Sequence, residues 1–320
     1  MAEQVRSAFG GLELTFLLMC LFSLPVYILL LVALIRTACN DRFHRQLFTL
    51  NIPLFFADLM QLVGMYIFHR PASWPLLHEI MVDCSEFPKF GLIWTYFCTG
   101  CQCTALVTLV FYCAVFITRS ITLSGHAMLL IVCCQVAVPF VCVLPLTKLE
   151  FHFRYIQVSR GLYAEFLSSE WQAFYNAFGY YWLITTSTLL CVVFLYILFA
   201  LSTNFERRSQ LPGSHLLCLL VKFLSLLLLT SVILVDHTSS GEHSIDAYDF
   251  WFITTELFSW IYAWSIIIVG QPVRNQFNAI IGFTSEIEAQ TTSAPANTIA
   301  NCAEHEELFS DDDPRSRLLL

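Results

Sequence analysis

Asp58 stands inside the apolar run "LNIPLFFADLM", Leu50–Met60, in a chain of 320 residues of which only 12% are charged. A carboxylate at membrane depth is costly and is by default a functional group. Asn51 lies seven residues before it, and positions seven apart share one helix face. Gln61 follows about one turn later. Asn51, Asp58 and Gln61 therefore form an interior polar cluster able to hold a sodium ion or water, with Gln102 of the next long run as a further member. The same residues also suit a closed hydrogen-bond cluster, or one in which Asp58 is protonated.

Other reactive groups are placed less tellingly. Lys222 lies early in its run, where a long side chain can snorkel to the nearer surface. "CTGCQC", Cys98–Cys103, has Cys-x-x-Cys spacing, but no second pair and no histidine at ligand spacing accompany it, so no metal is expected. Most of the 13 cysteines lie within apolar runs, where they act as small apolar side chains. Cys84 is in a loop, and Cys98 is its one conceivable disulfide partner. His44, His69, His78, His126, His152, His237 and His243 lie at loops and run ends. No catalytic constellation and no cofactor site follow from them.

These groups need elements to hold them. Hydrophobic residues make up 57% of the chain, and the mean hydropathy is +0.68. A soluble domain of this size carries about a quarter charged residues, so lipid must cover much of this one. Apolar runs near 12–35, 47–68, 90–117, 127–146, 178–201, 214–235 and 250–270 each supply the ~20 residues of a helical crossing. Lipid offers no partners to exposed backbone groups, and alternating barrel strands are absent from the sequence, so the runs are helices. The fold expected is an all-α membrane protein, a seven-transmembrane-helix bundle.

Loop charge orients it. With the N-terminus outside, the inner segments hold Arg36, Arg42, Arg45, Arg119, Arg207, Arg208 and Arg274 against Asp41 and Glu206. Arg6, Arg70, Lys89, Lys148, Arg154 and Arg160 are spread over longer outer segments rich in acids. Basic residues are denser on the first set, which places the N-terminus outside. Residues 1–283 then form the helical domain, and 284–320 a disordered, acidic cytoplasmic tail. Between the fourth and fifth runs, "FHFRYIQVSRGLYAEF" alternates apolar and polar residues around Gly161. It reads as a β-hairpin lid or as an irregular loop.

Asn51 and "LFFADL" (Leu54–Leu59) resemble the second helix of rhodopsin-like receptors, and Arg119 in "FITRSIT" falls where that family keeps an arginine at the inner end of helix three. Several family marks are absent. Thr118 replaces the acid before the arginine, helix four lacks tryptophan, helix six lacks proline and tryptophan, and helix seven has no Asn-Pro-x-x-Tyr. Pro25 in the first helix, the altered Arg119 motif and the exit "GQPVRNQF" (Gly270–Phe277) resemble the nematode serpentine chemoreceptors, with the Srg and Srv classes closest.

That resemblance covers nearly all of the chain before the tail. It implies a G-protein-coupled-receptor-like chemosensory protein in the plasma membrane of sensory neurons, the ciliary membrane included, with a heterotrimeric G protein as partner. It implies a small-molecule ligand in the outer half of the bundle, lined by Trp94, Phe97, Gln102, Tyr181, Glu256 and Trp260. The aromatic content suits a largely apolar ligand. Tyr180, Tyr181 and Trp182 equally suit an interfacial belt. It gives Arg119 the role of contacting the G protein. A transporter or channel is the alternative, although the polar residues are too scattered to mark a path, and no basic run suggests nucleic acid.

Overall fold

The computed structural model describes residues 2–40, 45–69, 86–119, 123–156, 161–203, 213–238 and 244–282. Helix α1 is Ala2–Asn40 and α2 is Arg45–Gly64, continued by a π-helical turn Met65–His69. Helix α3 is Glu86–Arg119, and α4 is Gly125–Val143, tightened into a 3-10 turn at Leu144–Lys148. Strands β1 (Phe151–Ile156) and β2 (Gly161–Phe166) precede α5 (Ser169–Thr203), α6 (Gly213–Thr238), α7 (Ser244–Val269) and α8 (Gln271–Ile280). The expected runs fall inside these helices, except that α7 stops one residue short of Gly270.

Six helices are long and apolar enough to cross a membrane, and α7 reaches a seventh crossing with α8, from which it bends by 91°. The bend sits at Gly270, where a Cβ would stand 2.7 Å from the Ile266 carbonyl oxygen. Helix α8 then buries Val273 and Phe277 and leaves Asn275 exposed, the pattern of a helix lying along an interface.

Met1–Phe277 is one compact unit and Asn278–Leu320 a second, of which residues 278–282 are described. Within the first, α3 packs against α2, α4, α5 and α6, while α7 packs against α6, α2 and α1. Gly100 lets α3 approach α4 closely: a Cβ there would lie 2.9 Å from the Pro139 Cβ. The faces turned away from the bundle are apolar, as Leu129, Phe140 and Val141 of α4 and Val192, Leu195 and Phe199 of α5 show. Such a surface needs lipid around it.

The strands pair antiparallel from Phe151↔Phe166 to Ile156↔Gly161, and the Leu167 amide donates to the Glu150 carbonyl at 3.0 Å to close the base. The hairpin rests on α3 and α5. Phe151 is buried with Val143, Leu146 and Tyr175, so the hairpin is anchored by an aromatic plug. This end of the bundle is called the hairpin end below, and the other the Arg45 end. The 284–320 tail and the Cys84 loop lie outside the described residues. The Cys84–Cys98 disulfide considered from the sequence involves Cys84 and so lies outside the described residues.

Candidate functional site

Polar side chains gather along the inner faces of α2, α3, α6 and α7, and Asp58 is their hub. Lys222 Nζ lies 2.7 Å from Asp58 Oδ1, and both side chains are 0% exposed. Gln102 Nε2 donates to the same oxygen at 2.7 Å and lies 3.1 Å from Ser259 Oγ. Lys222 also donates to the Phe258 carbonyl and stands 3.8 Å above the Phe258 ring. Tyr27 of α1 donates to the Ser259 carbonyl. Five helices thus meet at one ion pair. A buried charge is tolerated when it is paired and hydrogen-bonded, and both conditions hold here for Lys222.

A second layer lies nearer the Arg45 end. Asn51 Nδ2 is 2.7 Å from His215 Nε2, and Tyr262 donates to Asn51 Oδ1 at 2.6 Å. With the Asn51 amide as donor, His215 Nε2 accepts, which puts the imidazole proton on Nδ1. These three buried residues join α2, α6 and α7.

A third layer closes the hairpin end. His69 Nε2 is 2.6 Å from Thr95 Oγ1, and Trp251 stands edge-on to the His69 ring at 5.7 Å. Here α2 widens into its π-helical turn, and Trp94 Nε1 donates to the Met60 carbonyl at 2.8 Å. The Trp94 ring sits where a Gly64 side chain would be: a Cβ there would lie 2.2 Å from Trp94 Cδ1. Gly64 is thus required by the close approach of α3.

The expected polar cluster is divided between layers. Asn51 and Asp58 share the inward face of α2 but bond to different partners, and Gln61 bonds to neither. Gln61 Oε1 and Nε2, Asp58 Oδ2, Gln102 Oε1 and Thr255 Oγ are buried without a hydrogen-bond partner among the described residues. Lys222 is a correction. It does not snorkel to the surface; it points into the bundle and supplies the positive charge at Asp58, where the sequence left open a sodium ion, water or a closed hydrogen-bond cluster. No group of three or more His, Cys, Asp or Glu able to hold a metal occurs among the described residues.

The six expected ligand-lining residues do not converge. Trp94 faces α2, and Phe97 meets Phe140 of α4 edge-on at 6.4 Å. Gln102 belongs to the Asp58 layer. Tyr181 is 63% exposed and faces away from the bundle, towards lipid. Glu256 is buried on α7, and Trp260 is half-buried one turn further on. Arg119 closes α3, and its side chain lies outside the described residues.

The sequence reading missed His215, Tyr262, Ser259 and Tyr27. It also missed Gln46, whose Nε2 donates to the Leu123 carbonyl at 2.6 Å while its Oε1 accepts from the Leu123 amide at 2.9 Å and from Tyr112 at 3.2 Å. This clamp ties the segment before α4 to the start of α2.

Residues 16–283 match the family model described as serpentine type 7TM GPCR chemoreceptor Srv. No curated protein matches the chain. The matched stretch takes in all three polar layers, from within α1 to just past α8.

Proposed function

The chain belongs to the Srv family of serpentine seven-transmembrane chemoreceptors, and from that premise we propose how it receives and passes on its stimulus. As a member it is a multi-pass membrane protein and a chemosensory receptor of the G-protein-coupled kind, in a family of receptors rather than of enzymes. The hairpin end faces outward and the Arg45 end inward, as the density of Arg36, Arg45 and Arg119 favours. The plasma membrane, ciliary membrane included, is the location this implies.

The ligand in this reading is a small, largely apolar molecule taken at the hairpin end between α2, α3 and α7. The observation that carries it is the His69–Thr95 pair beneath the edge of Trp251, flanked in sequence by Phe68 and Trp94, whose ring centroids are 6.0 Å apart. Aromatic walls with a few placed polar groups suit such a ligand. Glu256 lies deeper on α7 and offers a second polar contact. The hairpin narrows access as a lid.

The signal travels along the polar layers. A ligand that moves α7 against α2 shifts Ser259 and the Phe258 carbonyl, which hold Gln102 and Lys222 on Asp58. Lys222 then displaces α6, whose first turn carries His215. A heterotrimeric G protein is the partner at the Arg45 end, with Arg119 as a contact.

Cells expressing the chain, exposed to a panel of small apolar molecules and read by calcium or cyclic nucleotide, test this reading. Trp251→Ala should weaken the response, Tyr181→Ala should leave it intact, and Arg119→Ala should reduce the signal at unchanged ligand binding. A response indifferent to Trp251→Ala would remove this ligand site. Solute flux in proteoliposomes without G protein would favour a transporter instead.

A further inference from the structure

A cavity of about 280 Å³ lies between α3, α4 and α5, and none of the residues that bond Asp58, Asn51 or His69 lines it. Cys103 and Val107 of α3, Gln135 and Val138 of α4, and Trp182 and Thr186 of α5 line it. These residues sit near the middle of the spans 89–118, 125–148 and 169–203, so the cavity lies at mid-membrane depth. Its rim residues Cys134 and Val138 are exposed on the lipid-facing side of α4. Of the other lining residues Cys103, Gln135 and Thr186 are buried, and Thr104, Val107, Thr108 and Trp182 are half-buried.

Two polar atoms stand out there. Gln135 is only 1% exposed. Its Nε2 donates to Thr108 Oγ1, and its backbone carbonyl accepts from Thr104 Oγ1 at 2.8 Å, so the side chain is fixed against α3. Its Oε1, the acceptor left over, has no hydrogen-bond partner. Trp182 Nε1, a buried donor, has no nitrogen or oxygen partner; the Cys103 thiol beside it is a weak acceptor. Holding α3 to α4 needs the Gln135 amide nitrogen alone. A buried acceptor and a buried donor in an apolar wall at this depth are costly unless something answers them.

A hydroxyl answers both, since it donates and accepts. We propose that this cavity is a binding site for a small membrane-dissolved alcohol, with an apolar body against Val107, Val138 and Thr186 and a hydroxyl between Gln135 and Trp182. The ligand enters sideways from the lipid. The volume is at the small end of ligand pockets, which run from roughly 300 to 1,000 Å³, and suits a compact molecule rather than a whole phospholipid. An alkyl chain could fill the space but would leave both polar atoms unanswered. The site is separate from the hairpin end, so its failure would leave the receptor reading untouched.

The test uses the full chain in lipid nanodiscs with a diazirine derivative of octanol, photolysed and mapped by mass spectrometry. Labels should concentrate on the Cys103–Val107, Cys134–Val138 and Trp182–Thr186 stretches, and excess plain octanol should suppress them. Gln135→Leu should lower this labelling roughly fivefold, the worth of one hydrogen bond. Trp182→Phe, which keeps a ring and loses only the donor, should lower it too and decides the matter if Gln135→Leu does not fold. The corresponding diazirine alkane should not concentrate there. Even labelling along Leu129, Val141 and Phe199, equal labelling by the alkane, or indifference to both substitutions would overturn the proposal.

Discussion

Lys222 Nζ stands 2.7 Å from Asp58 Oδ1, although 164 positions separate the two residues in the chain. Both side chains are fully buried, and the pair links α2 to α6 at the centre of a bundle without other described buried ion pairs. Removing one member strands the other. Lys222→Met or Asp58→Asn should each cost about 3–5 kcal/mol of stability, whereas the two together should restore most of it. Thermal unfolding of the purified chain in detergent measures all of these. Additive losses in the double variant would mean that the two charges are not partners.

Gly64 is the point where α3 comes against α2. Gly64→Ala drives a methyl group into the Trp94 ring and should cost about 1–3 kcal/mol as an overpacked contact. In a Trp94→Ala background the same change should cost nothing, since alanine favours a helix over glycine. The coupling between the two substitutions, read from four unfolding midpoints, checks the contact directly.

Gln46 answers both backbone groups of Leu123. Gln46→Ala leaves them without that partner and should lower stability by about 1–3 kcal/mol. Amide exchange at Leu123 should speed up while exchange in the middle of α3 stays slow. Unchanged protection at Leu123 would show that the clamp contributes nothing.

Asn51 has three partners, the Leu47 carbonyl, His215 and Tyr262, whereas Tyr262 bonds chiefly Asn51. Tyr262→Phe should therefore cost about 1 kcal/mol, and Asn51→Leu more, because it removes the bonds to both Tyr262 and His215. Unfolding midpoints of the two variants give the order.

The seven crossings were legible because length and hydropathy alone decide what a bilayer accepts. Asp58 was legible for the same reason: a lone acid in an apolar run must face inward. Lys222 was misread because its depth was weighed and its direction around the helix was not. The usable signal was the pair of opposite charges, each inside a different run, which lipid would force together. Gln46 and His215 gave no such signal, since polar residues near helix starts are ordinary. Tyr181 stands apart from the other expected lining residues because an outward-facing aromatic packs against lipid as readily as into a pocket. Trp182 shows the opposite case: it sits mid-span beside Gln135, where its ring nitrogen lines a cavity.

Lys222 is the cation of Asp58, so that no sodium ion is needed there. The unfolding midpoint of the purified chain in sodium chloride, compared with choline chloride at equal ionic strength, tests it most directly. The wild-type chain should show no difference between the salts. Lys222→Met should gain a sodium-specific rise, because Asp58 then lacks a counter-charge, and Asp58→Asn with Lys222→Met should lose that rise again. A sodium-specific rise in the wild-type chain would contradict the account.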